Sequence, residues 1–197
     1  MNQPGQETPI SSHRIDRVSA SNVGSALALA VSVFALAIGA YQTRLMQGQA
    51  RASVWPFLSI GYTYSSNTDA NGFIWTIVNN GVGPAKVESV TLSLDGKPMK
   101  RWDDVLAALG APQDSNSAMS SISGEVIPPD TNRETTIPAI KINSREAASL
   151  FKQAEARFRM DICYCSVYDE CWIAHWQKAR VDPVGQCDTT GTVQFEQ

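Results

Sequence analysis

No charged residue occurs between Arg17 and Arg44 in this 197-residue chain. Inside that gap, Val23 to Tyr41 is a run of 19 apolar and small side chains. As a helix it measures roughly 28 Å, close to the ~30 Å hydrocarbon thickness of a bilayer. A core helix of a water-soluble domain carries a polar stripe, and this run has none. Tyr41 falls where an interfacial aromatic belongs, with Arg44 just beyond it. The run is therefore read as a transmembrane helix over residues 22–43, with the lipid bilayer as its partner. A polar tail (1–21) precedes it and a juxtamembrane linker (44–54) comes after it.

A cleaved signal peptide competes with this reading, because Ala37-Ile38-Gly39 resembles a small-x-small cleavage site. The apolar core exceeds the usual h-region of about 7–15 residues, and the polar stretch before it is long, which favours an uncleaved anchor. Gly24, Ala28 and Ser32 form a small-xxx-small series that offers a homodimer contact between two such helices. Arg14 and Arg17 on one side balance Arg44 and Arg51 on the other, so the positive-inside count is tied.

Charge narrows the function classes. Residues 1–54 carry four arginines against two acids, a net of +2 (4 − 2). Residues 55–197 carry 12 Lys or Arg against 17 Asp or Glu, a net of −5 (12 − 17). An acidic domain repels a polyphosphate backbone, so no nucleic-acid partner is expected.

All four cysteines lie near the C-terminus: Cys163, Cys165, Cys171 and Cys187. An even number beyond a membrane anchor suits an oxidising compartment and disulfides, which breaks the topological tie in favour of an extracytoplasmic domain. Residues 159–168 read as a strand, Asp169-Glu170 as a turn, and 171–176 as a returning strand. Cys163 and Cys165 then share one face, with Cys165 across from Cys171 and Cys187 within reach of Cys163. Four cysteines allow three pairings, and spacing does not choose among them. The sharper alternative is a thiol-redox or metal site built from Cys163, Cys165, Cys171 and His175. C-x-C followed by C-x3-H departs from the paired knuckles of structural zinc.

From Trp55 the chain alternates strand patterns with turn signals. Strand candidates are 54–65, with Pro56 confining its start to a sheet edge, then "FIWTIVNN" and "KVESVTLSLDG". In the third, Val90, Leu92 and Leu94 face one way and Ser89, Thr91 and Ser93 the other, and Asp95-Gly96 marks a turn. Trp102, Val105, Leu106 and Leu109 have helical spacing and stop at Gly110 and Pro112. Residues 111–121 read as a Ser-rich surface loop, and two more strand-like runs surround Pro128-Pro129-Asp130. A second helix begins at Asn143, its expected cap with Glu146 three residues on, and buries Leu150, Phe151, Ala154 and Phe158. The fold expected is mainly β: an antiparallel immunoglobulin-like sandwich over 55–177 with two short helices, preceded by the transmembrane helix. Residues 178–197 read as an irregular tail.

The stretch Asn79-Asn80-Gly81-Val82-Gly83-Pro84-Ala85 invites two readings. A phosphate-binding loop needs a helix after its glycines, and here a period-two strand comes next while Pro84 removes an N–H. A corner between strands accounts for each residue: Asn80-Gly81 tolerates positive φ, Gly83 adds freedom and Pro84 sets the exit. "VNNGVGPAKVESVTLSLDG" also resembles the N-x-G-x-G-P-A segment of CARDB-like immunoglobulin-like domains on bacterial surface and membrane proteins. That resemblance covers residues 73–96 and implies an extracytoplasmic β-sandwich at the bacterial inner membrane, with no shared catalytic residues. The helices at 101 and 144 and the cysteine hairpin depart from a plain domain of that kind.

No G-x-S-x-G, H-E-x-x-H or kinase-type set occurs. Asp103-Asp104 diverge on a helix and suit its positive end. Trp172 and Trp176 read as core filling more readily than as a ligand platform. No cofactor, metal or catalytic residue is assigned, and the domain is expected to bind a protein partner.

Overall fold

In the computed structural model, residues 15–65, 72–112, 115, 117–131 and 136–196 are described. Helix α1 runs from Ile15 to Ala52. It continues through residues 44–52, where the sequence reading expects a linker. Gln, Arg, Leu, Met and Ala, all strong helix formers, fill most of that stretch, and only Gly48 opposes them. The part from Asn22 to Ala52 has a mean hydropathy of 2.2 over its most apolar window, and none of that window is buried. This one helix is long and apolar enough to cross a membrane.

Chain contacts separate residues 1–49 from a second unit, residues 50–197. The second unit is built from two antiparallel sheets. The strands are β1 (Leu58–Ser65), β2 (Gly72–Asn79), β3 (Ala85–Leu94), β4 (Lys97–Met99), β5 (Ser117–Met119), β6 (Val126–Ile127), β7 (Ile137–Ile142), β8 (Phe158–Cys165), β9 (Cys171–His175) and β10 (Val181–Val184). Two helices join them, α2 (Trp102–Ala108) and α3 (Arg145–Gln153), with a 3-10 turn at Glu155–Arg157. One sheet has the order β1-β2-β7-β5; the other has the order β10-β9-β8-β3-β4, with β6 also paired to β3.

Period-two patterning explains the inner faces. Phe73, Trp75 and Ile77 of β2 alternate inward with Leu92 and Leu94 of β3 and Met160, Ile162 and Tyr164 of β8, in one core. Trp75 is its centre, with ring centroids 4.5 Å from Trp176 and 5.0 Å from Phe158. Trp176 thus enters the core. In β3, Val87 and Val90 are both buried although three residues apart, because a bulge at Glu88 resets the alternation against β8. Asp95-Gly96 closes the β3–β4 hairpin with φ of 53° and 78°, the two positive values that a two-residue primed turn demands.

Helix α2 ends in a Schellman motif: Ala111 N donates to Leu106 O at 2.9 Å and Gly110 N to Ala107 O at 3.1 Å, with Gly110 at φ 70°. The cap of α3 is Ser144, whose Oγ accepts from Ala147 N, and not Asn143. The predicted apolar side of α3 holds at Phe151 and at its C-cap Ala154, while Leu150 is only half-buried and Phe158 belongs to β8.

Two further expectations change. The Ser-rich stretch contributes the short edge strand β5, although residues 113, 114 and 116 lie outside the described set. The segment 178–197, read as irregular, supplies β10 on β9 and ends with Phe195 buried against Trp102 at 4.9 Å. The N-terminal tail to residue 14 and residues 133–135 of a strand-like run lie outside the described set.

Candidate functional site

The glycine corner lies between β2 and β3 and holds the segment that leads into β1. Trp55 O accepts from Val82 N at 2.9 Å and Gly83 N at 3.3 Å, and Phe57 O accepts from Asn80 N at 2.8 Å. A Cβ at Gly83 would fall inside the Val54 carbonyl, and one at Gly81 would overlap the backbone of Trp55 to Phe57. Neither glycine has a positive φ. Close backbone approach, and not the left-handed turn expected at Asn80-Gly81, is why glycine stands at both positions. Pro84 leads directly into β3, as the corner reading requires.

Asn79, which sequence reasoning does not single out, organises this corner. It is fully buried. Its Oδ1 accepts from Phe57 N at 3.1 Å and Gly81 N at 3.0 Å, and its Nδ2 donates to Gly83 O at 2.8 Å and Ile127 O at 3.0 Å. That satisfies the buried amide with two acceptors and two donors. Asn80 is exposed and donates to Ser59 Oγ instead. The signal is present in the sequence as an asparagine at the inward phase of β2, two residues past Ile77.

The second cluster forms on the outer face of β8 and β9. Alternation along β8 sends Asp161, Cys163 and Cys165 outward, and register sets them beside His175, Ile173 and Cys171 of β9. Cys165 bonds directly across to Cys171, and Cys163 bonds to Cys187, which the C-terminal segment brings over the sheet. Of the three pairings open from spacing, this is the one the fold forms. The Sγ atoms of Cys165 and Cys187 lie 3.8 Å apart without being bonded, and those of Cys165, Cys171 and Cys187 all fall within 4.8 Å of one another. Cys163, Cys165 and Cys171 are buried, while Cys187 is half-buried.

His175 is held apart from the sulfurs by its own partners. Its Nδ1 lies 2.6 Å from Asp161 Oδ1 and its Nε2 lies 2.9 Å from Asp182 Oδ2. Both ring nitrogens are thus engaged by carboxylates on opposite sides. The set Cys163, Cys165, Cys171 and His175, offered as metal or thiol chemistry, is not assembled around one point. Its sulfurs are bonded in two disulfides and its imidazole faces two acids. Beside the ring is an open cavity of about 360 Å³ lined by Arg159, Asp161, His175, Gln177 and Lys178 among others.

Two groups next to the cluster are electrostatically adjusted. The Asp169 carboxylate accepts from Lys86 Nζ at 2.7 Å and holds that ammonium above its ordinary range. Burial pushes the Tyr164 phenol up to about 12, although its oxygen accepts from Leu58 N.

The fold and these clusters together define a two-sheet antiparallel β domain, cross-linked twice near its C-terminus and preceded by a long apolar helix. No protein-family model, curated protein or solved structure matches the chain.

Proposed function

We propose that this chain is a single-pass membrane protein of the bacterial inner membrane whose immunoglobulin-like domain faces the extracytoplasmic side and binds a protein partner. The observation that carries the reading is α1, whose apolar side chains from Asn22 onward are exposed and long enough to span. The side of the membrane is argued from the two disulfides, since such bonds persist in oxidising compartments. The immunoglobulin-like assignment is supported by the CARDB-like corner and by two antiparallel sheets around one core.

Binding without turnover is argued from the groups the domain offers. Its histidine is occupied by acids, while β1 and β10 present sheet edges to which a partner strand can add. Self-association of α1 through Gly24, Ala28 and Ser32 supplies a homodimer contact in the bilayer.

The test is a C-terminal fusion to a reporter active only outside the cytosol, read together with alkaline extraction of membranes. The expected outcome is an active reporter in an extraction-resistant fraction. A protein found in the soluble fraction, or a reporter that stays inactive, overturns the reading. Crosslinking of the intact protein in its host then identifies the partner.

A further inference from the structure

Two disulfides meet at one point on the outer face of β8 and β9, and that point has chemistry beyond cross-linking. Cys165 Sγ lies 3.8 Å from Cys187 Sγ, near van der Waals contact for sulfur, yet each is bonded elsewhere. Exchange between thiol and disulfide needs a thiolate within reach of a bonded sulfur and an approach in line with the bond that breaks. Carrying both sulfurs on one fold makes the step intramolecular, which raises its effective concentration once Cys187 is freed from Cys163.

We propose that Cys165, Cys171 and Cys187 form a thiol–disulfide exchange centre that accepts two electrons from a dithiol and passes the vacancy from the C-terminal segment to the β8–β9 hairpin. Cys187 is the point of attack, because it is half-buried while the other three cysteines are no more than 6% exposed. A thiolate of the incoming dithiol bonds to Cys187 Sγ, the Cys163–Cys187 bond breaks, and Cys163 leaves as a thiolate that takes a proton. The second thiol of that dithiol attacks the mixed disulfide, so the dithiol leaves oxidised and Cys187 is released as a thiolate.

The next step involves no net oxidation. Cys187 attacks Cys165 Sγ, a Cys165–Cys187 bond forms, and Cys171 departs as a thiolate and is protonated. The product holds one disulfide and two thiols, Cys163 and Cys171. The C-terminal segment returns to β8, because Cys187 exchanges one β8 partner for another. The hairpin mouth, closed at Cys165 and Cys171 in the oxidised protein, is released. Cys171 then carries a free thiol beside the 166–170 turn, close to the Asp169 carbonyl.

The full-length chain in detergent micelles provides the test. In Cys163→Ser the Cys187 thiol is unpaired, and exchange becomes an isomerisation that needs no added reagent. After incubation near neutral pH, acid quenching, alkylation and peptide mapping by mass spectrometry, the Cys165–Cys187 bond is expected in about a tenth of the folded molecules or more. That fraction corresponds to two bonds matched within about tenfold in equilibrium constant. Cys171→Ser tests the reverse attack: Cys165 displaces Cys163 from Cys187, giving the same new bond with Cys163 alkylated. Should one variant fail to fold, the other decides, and wild-type protein treated with one equivalent of dithiothreitol supplies a variant-free measurement. Finding only Cys165–Cys171 in the first variant, only Cys163–Cys187 in the second, and only those two bonds in the partly reduced wild type overturns the proposal.

Discussion

The carbonyl oxygen of Val54 occupies the space that a side chain at Gly83 would need. The corner between β2 and β3 is therefore a saddle on which the chain leading into β1 rests, backbone against backbone. Gly83→Ala forces that packing apart, and no side-chain rotation relieves it. It is expected to lower stability by about 3 kcal/mol or more, the upper range for overpacking. Gly61→Ala is the control, because its Cβ meets only Thr76 Oγ1 at 3.6 Å. Urea denaturation monitored by tryptophan fluorescence should show a large loss for the first and little change or a small gain for the second.

Asn79 and Asn80 are adjacent and chemically identical, yet their substitutions should diverge. Asn79→Ala leaves Phe57 N, Gly81 N, Gly83 O and Ile127 O without their buried partner. A loss of about 3 kcal/mol or more is expected, since each unsatisfied buried group costs about 1–3 kcal/mol. Asn80→Ala removes one exposed contact to Ser59 and should fall within about 0.5 kcal/mol of wild type. Comparable losses at both positions in thermal denaturation would show that the corner is not organised by the buried amide.

Phe195 lies near the end of the chain and is nevertheless 1% exposed, packed on Trp102 while its N–H donates to Val90 O. Phe195→Ala should cost about 3–5 kcal/mol, as for other buried phenylalanines. A midpoint of denaturation indistinguishable from wild type would mean that the C-terminal segment is not part of the core.

Tyr164 sets an alkaline limit. Its folded phenol is raised to about 12, so the unfolded chain, with an ordinary phenol near 10, loses its proton first as pH rises. The stability this contributes is complete below about pH 10 and is lost progressively up to about pH 12, at most ~2.7 kcal/mol for a two-unit shift. Tyr164→Phe should abolish that component while losing the acceptor for Leu58 N, about 1 kcal/mol at neutral pH. The difference between wild type and variant, measured by denaturation from pH 8 to 12, should shrink and then reverse. A difference that stays constant across that range overturns the assignment.

Much of this fold is legible in the sequence because its signals are local. Alternation in β3, helical spacing from Trp102 to Leu109, the Asp95-Gly96 turn and the charge-free run from Val23 to Tyr41 each fit within a few turns or pleats. Extension of α1 to Ala52 is also written in helix-forming residues, which carry the helix past the end of the apolar run at Tyr41. The N-x-G-x-G-P corner lies where its turn residues place it, but the physical reason for its glycines is different. They answer to the approach of residues 54–57, some twenty-five positions earlier, and not to their own φ.

Residue order alone settled the presence of a long apolar helix, the β character of the chain beyond Trp55, and the facing of Cys163 and Cys165, since each depends on neighbours in the chain. Packing settled the rest. Which cysteines bond, why Asn79 rather than Asn80 holds the corner, and how an unpatterned C-terminal segment yields both a strand and a core phenylalanine all depend on distances between residues far apart in sequence. Those distances exist only once two sheets have closed on Trp75, because the free energy of burial belongs to the assembled core and to no single segment of it.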